Sequence, residues 1–154
     1  MEEKGYLFLS KDWINKAVAA IERAKATDES VKKQASEFSL SIAYVIENIP
    51  EVLKELYSND RVVVYIELDK GELKRFRVDT GMKEKTDFTV VSDYEIAKKN
   101  FTGELNPVST FIRRQIKVEP KRKVYANPSF SAKALTTVNT LLRIIREVPT
   151  VFPE

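Results

Sequence analysis

Few side chains in this sequence are suited to chemistry. The 154 residues include neither His nor Cys. That removes the commonest general base, the thiolate nucleophile and the usual zinc ligands together. Acid–base work would fall to carboxylates, Lys, Tyr or Ser. Glu67 and Asp69 share a strand face by period-two spacing, the one arrangement resembling an acid–base pair. No nucleophile or metal ligand accompanies them, so a solvated strand end is the simpler reading. Gly71, Gly81 and Gly103 stand alone as turn glycines and form no phosphate loop. The sequence therefore predicts a protein that is not an enzyme, with no catalytic residue, metal site or cofactor. A second group is basic: Arg113, Arg114, Lys117, Lys121, Arg122 and Lys123. These residues could meet anionic head groups or phosphates, or they could simply be a solvated surface. No nucleic-acid motif accompanies them.

The elements that position these residues follow from composition and periodicity. The apolar fraction is 43%, enough for a core, and the length suits a single domain over residues 1–154. Charged residues make up 32%, mixed in sign, and the net charge of +3 does not demand a polyanionic partner. No run approaches the roughly 20 apolar residues of a membrane span. The acidic opening MEEKGYLFLSKDW does not read as a signal peptide, so a cytoplasmic location is expected.

Ser10 caps a first helix, with Asp12 in its first turn and Trp13, Ala17, Ile21 and Ala24 in one stripe. Ser36 to Glu47 fits both periods. The alternation of Phe38, Leu40, Ile42, Tyr44 and Ile46 favours a strand. A short helix follows Pro50, with Val52, Leu53, Leu56 and Tyr57 on its buried side. Val62 to Leu68 is nearly all apolar, as in a strand covered on both faces. Asp69-Lys70-Gly71-Glu72 turns it into a hairpin partner from Leu73 to Asp79. There Phe76 and Val78 face one way, Arg75 and Arg77 the other.

Thr86 to Val91 is a further strand. Ser92 and Glu95 form a capping-box pattern for a helix that stops at Gly103. Asn106-Pro107 starts the next helix, whose apolar face is Val108, Phe111 and Ile112. Ile116 to Glu119 is a short strand, Lys121 to Phe130 an exposed loop, and Ser131 to Glu147 a final helix. Mostly consecutive strands flanked by helices predict an α+β fold with a mainly antiparallel sheet.

These residues, in this order, resemble the sterol carrier protein type-two family. The likeness rests on the helix opened by Ser10-Lys11-Asp12-Trp13 and the turn Asp69-Lys70-Gly71. It continues through Asp87-Phe88-Thr89-Val90-Val91-Ser92-Asp93, then Gly103-Glu104-Leu105-Asn106-Pro107. Phe111-Ile112 leads into Ile116-Lys117-Val118, and the ending is Val148-Pro149-Thr150-Val151-Phe152-Pro153. It runs nearly the whole length and is closest to small stand-alone prokaryotic members. Two features depart from the family pattern. Arg114 and Gln115 stand where the family has a glycine and a lysine, and Glu119-Pro120 with a basic loop replaces a Gly-Asp turn.

The resemblance implies a five-stranded, mainly antiparallel sheet with helices packed on one face. Between them it implies an apolar tunnel that binds a fatty acyl chain, acyl-CoA or an isoprenoid or sterol-like lipid without chemistry. The expected ligand contacts are Phe101, Leu105, Val108, Phe111, Ile112, Leu135, Val138, Leu142 and Ile145. Arg113, Arg114 and Lys117 would contact anionic groups, including a membrane surface. The alternative is a filled core, with the same fold serving as a protein-interaction or homodimerisation module.

Overall fold

In a computed structural model that describes residues 5–36, 39–81 and 85–154, alternation in the strand sequences sets the architecture. The elements run β1 (Tyr6–Leu7), α1 (Lys11–Thr27), α2 (Glu29–Ser36), β2 (Leu40–Glu47), α3 (Glu51–Tyr57), β3 (Arg61–Asp69) and β4 (Glu72–Asp79). They continue β5 (Phe88–Asp93), α4 (Tyr94–Thr102), α5 (Pro107–Ile112), β6 (Lys117–Glu119), α6 (Lys121–Ala126), α7 (Pro128–Ile145) and β7 (Thr150–Val151).

Five strands form one sheet in the order β4-β3-β2-β5-β6. All its pairs are antiparallel except β2 with β5. The β3–β4 turn places Lys70 and Gly71 at φ 48° and 90°. Two successive positive φ values match the right-handed twist of a hairpin, which is why glycine occupies the second.

The two sheet faces differ. Ile42, Tyr44 and Ile46 of β2, Val62 and Val64 of β3 and Phe88 of β5 look toward the helices. On the reverse face, Ala43, Val45, Val63 and Tyr65 form a small buried cluster. The Arg75 and Arg77 guanidiniums sit over the Tyr65 ring, 5.7 and 5.4 Å from its centroid. β3 is thus covered on both faces, as its nearly all-apolar run predicts.

The main core lies under α1, α4 and α7. Phe8 anchors it, with ring centroids 5.0 Å from Trp13, 4.9 Å from Phe101 and 4.8 Å from Phe152. β1 and β7 pair in parallel as a separate two-stranded ribbon, Tyr6 opposite Thr150 and Leu7 opposite Val151. Trp13 Nε1 donates to Thr150 Oγ1 at 3.0 Å, tying α1 to that ribbon.

Several expectations change. The predicted strand from Ser36 begins only at Leu40, and Ser36 closes α2, a helix the apolar pattern does not mark. Phe38 lies outside the described residues. In α3 only Leu53 is buried, while Val52 and Leu56 are exposed. The Tyr57 hydroxyl donates to the Leu9 carbonyl, so the packed line is Leu53–Tyr57 and the 52–56 line faces water. Ser92 is no helix cap. Period two puts it on the inward face with Phe88 and Val90, and Asp93 takes the cap position.

The expected loop from Lys121 is α6 followed by the first turn of α7. There Asn127 caps α7 by accepting from the Phe130 N–H at 3.1 Å, with Pro128 at the first helical position. Asn106 and Pro107 do the same for α5, where Asn106 accepts from the Val108 N–H at 2.8 Å.

Candidate apolar binding site

Between the sheet and the last three helices lies a cavity of about 70 Å³. Strand register builds its floor. Ile66, Ile42 and Phe88 lie in one cross-strand row, and Tyr44, Val90 and Val118 in the next. α7 supplies the roof through Ser131, Ala134, Leu135, Val138 and Leu142, a 3–4–7–11 spacing that marks one helical face. The adjoining stripe, with Leu141, Ile144 and Ile145, belongs to the main core, and Leu142 is shared between the two. α7 therefore packs into the main core and roofs the cavity with adjoining stripes of one apolar side. Pro107 and Phe111 of α5, Ile116, Val124 of α6 and Asn100 of α4 complete the lining.

The roof mixes small and large side chains over a broad floor. Ser131 and Ala134 are the smallest of the lining side chains, and Ala134 shares one apolar cluster with Ile42 and Phe88 of the floor. Phe130 stacks on Phe88 with ring centroids 6.0 Å apart, covering one part of the floor. Phe111, Leu135 and Val138 are half-buried, so the wall between α5 and α7 also touches solvent.

Of the expected ligand contacts, Phe111, Leu135, Val138 and Leu142 line the cavity. Phe101 and Ile145 do not. Both are buried in the main core, Phe101 within the aromatic cluster around Phe8. Leu105 is half-buried outside the lining, and Val108 is exposed. Ile112 is 71% exposed and points away from the wall. Helix α5 has only six residues, so Pro107, Thr110 and Phe111 use its whole inner face and leave positions 108 and 112 outside. Arg113, Arg114 and Lys117 are exposed and outside the lining, and Lys117 pairs with Glu119 at 3.0 Å. Glu67 pairs with Arg75 at 2.8 Å, and Asp69 accepts from Ser39 Oγ at 3.1 Å, so the two carboxylates hold strands and turn together.

One polar feature goes beyond the sequence-based expectations. Ser92, Tyr44, Asn100 and Thr110 form a buried series at one end of the cavity. The Ser92 hydroxyl donates to the Asp93 carbonyl at 3.2 Å, which leaves the Tyr44 hydroxyl to donate to Ser92 Oγ at 3.0 Å. Asn100 Nδ2 then donates to Tyr44 Oη at 3.3 Å. Burial raises the Tyr44 pKa, only partly offset by the bonds to Ser92 and Asn100, so the phenol stays protonated. The outline of this series is visible in part in the sequence, since alternation in β2 already turns Tyr44 inward. Asn100 and Thr110 carry no signal, because polar residues on short helices read as solvated.

Arg114 has φ 59°, in the left-handed region. Its N–H donates to the Phe111 carbonyl at 3.1 Å and that of Gln115 to Thr110 at 2.8 Å, a helix-ending turn that favours glycine. The residue that departs from the sterol-carrier pattern thus keeps the backbone shape a glycine would take.

No protein-family model matches the chain, and no curated protein matches it in sequence. Solved structures do match in shape. A crystal structure of sterol carrier protein 2 superimposes with a TM-score of 0.67 at 20% identity, over 92% of this chain and 98% of that one. A conserved hypothetical protein of Thermus thermophilus, described as possibly a sterol carrier protein, gives 0.69 at 19% identity, over 97% of each chain. The apo form of sterol carrier protein 2 from Yarrowia lipolytica gives 0.51 at 18% identity, over 88% of each. This chain has the sterol-carrier fold. In that fold the five-stranded sheet and the helices on one face account for where the cavity sits. Among the described residues no helix is long and apolar enough to cross a membrane, and no cluster of Asp and Glu could hold a metal ion.

Proposed function

We propose that this protein binds and carries an apolar lipid-like ligand without chemically changing it. The observation that carries this reading is a cavity between sheet and helices whose lining includes no charged side chain. A ligand there is held because its surface leaves water, at roughly 25 cal/mol per Å². Phe111, Leu135, Val138 and Leu142 are the proposed contacts from the helical wall. The sterol-carrier fold supports the same reading. The cavity is about half the ~150 Å³ that accommodates a benzene ring, so it holds only a short stretch of chain as it stands. A longer chain enters by displacing α5 and α6, each six residues long. Arg113 and Arg114 directly follow exposed Ile112, and with Lys117 they are the proposed contacts for an anionic surface from which a ligand is taken.

Two measurements test this. Mass spectrometry of organic extracts from purified protein should find a bound lipid. Ala134→Leu places three more carbons in the cavity, each worth about 0.8 kcal/mol when buried. It should leave stability unchanged or higher while abolishing binding of a fluorescent alkyl probe. Undiminished probe binding by that variant would refute the site.

A further inference from the structure

Asn100 is the one amide in the cavity lining, and it is only 2% exposed. It sits on α4, where its Nδ2 gives one hydrogen to Tyr44 Oη at 3.3 Å. An amide nitrogen carries two hydrogens, and the second has no partner among the described residues. Its Oδ1 is also poorly served. The nearest donor is Thr110 Oγ1 at 3.4 Å, and that single hydroxyl proton has a better acceptor in the Pro107 carbonyl at 2.9 Å. A buried amide with unused capacity costs stability unless something else completes it. The surroundings narrow what that can be. Tyr44 is fully engaged with Ser92 and Asn100, and the lining holds no Lys or Arg that could neutralise an anion.

We infer that Asn100 anchors the polar end of the ligand, and that this end is an uncharged oxygen, a hydroxyl or carbonyl, rather than a carboxylate or phosphate. The inference rests on the carrier reading above and specifies its ligand class. A hydroxyl both accepts from the free amide N–H and donates to Oδ1, which completes the amide on both sides. A carbonyl uses the N–H alone. A carboxylate would be stripped of water with no counter-charge, and would enter only at the cost of first taking up a proton. The ligand would therefore sit with its head toward the α4 end and its chain along α7, over Ile42, Val90 and Val118.

The test is a titration of ¹⁵N-labelled protein with 1-octanol, 1-chlorooctane and octanoate, followed by NMR. Octanol should bind about 3- to 10-fold more tightly than chlorooctane, as expected for one net hydrogen bond. A side-chain amide proton of Asn100 should move downfield with octanol only. Asn100→Leu should cancel the octanol advantage while keeping chlorooctane affinity. Should that variant fail to fold, the amide shift in the unaltered protein decides alone. Equal affinities for octanol and chlorooctane with an unmoved amide, or tightest binding by octanoate, would overturn the head-group inference and leave the cavity reading standing. Binding of none of the three would remove both.

Discussion

Arg114 occupies a left-handed backbone position with an exposed side chain. Such a conformation costs an L-residue about 1–2 kcal/mol, partly offset in glycine by its freer unfolded chain. Arg114→Gly should therefore stabilise the protein by roughly 0.5–1 kcal/mol in urea denaturation. Arg113 has φ −79°, so the same change one residue earlier should destabilise. Three of the six tyrosines carry a further prediction. Tyr44, Tyr57 and Tyr94 all have pKa values raised above 10.0, chiefly by burial. Below pH 10 the phenols are protonated in folded and unfolded chains alike. Above it only the unfolded chain loses the protons, so stability should fall as pH rises past 10. Tyrosinate absorbance for these three should appear together with unfolding, and the fall should be shallower in Tyr44→Phe.

At the scale of elements, α3 gives the sharpest contrast. Leu53 is 0% exposed and Leu56 is 52% exposed on the same seven-residue helix. Leu53→Ala should cost about 2–5 kcal/mol, and Leu56→Ala less than about 0.5 kcal/mol, by chemical denaturation. The sequence alone ranks them equally, because apolar residues at 52, 53, 56 and 57 mark two neighbouring stripes and only tertiary contact selects one. Elsewhere local signals suffice. Ser10, Gly103, the Asn106-Pro107 start and the Lys70-Gly71 turn all act through backbone geometry within a few residues, and each is found where its neighbours dictate. Asn127-Pro128 carries the same start signal as Asn106-Pro107, yet the basic run before it hides α6 and makes the pair look like part of a loop. That helix buries only Val124, too little to imprint a period. The cavity is legible on its helical side, where α7 repeats every three to four residues. It is not legible on its sheet side, because which row of β2 meets which row of β5 is settled by register.

The whole molecule is closed by its least conspicuous element. β7 has two residues, yet around it Thr150 accepts from the Trp13 indole, Phe152 packs on Phe8, and the Pro153 carbonyl accepts from Tyr94 Oη at 2.7 Å. Removing residues 150–154 should lower the unfolding free energy by roughly 3–5 kcal/mol, with red-shifted Trp13 fluorescence, since a buried ring and several hydrogen bonds go at once. The parallel pairing of Tyr6 with Thr150 also imposes an order in time. On the ribosome, β1 emerges long before its partner. The nascent chain can form its sheet early, but Phe8 and Trp13 wait with one side uncovered until synthesis reaches β7. A pause or truncation late in translation would thus leave an assembled sheet with an exposed aromatic cluster, the kind of surface that chaperones and proteases recognise.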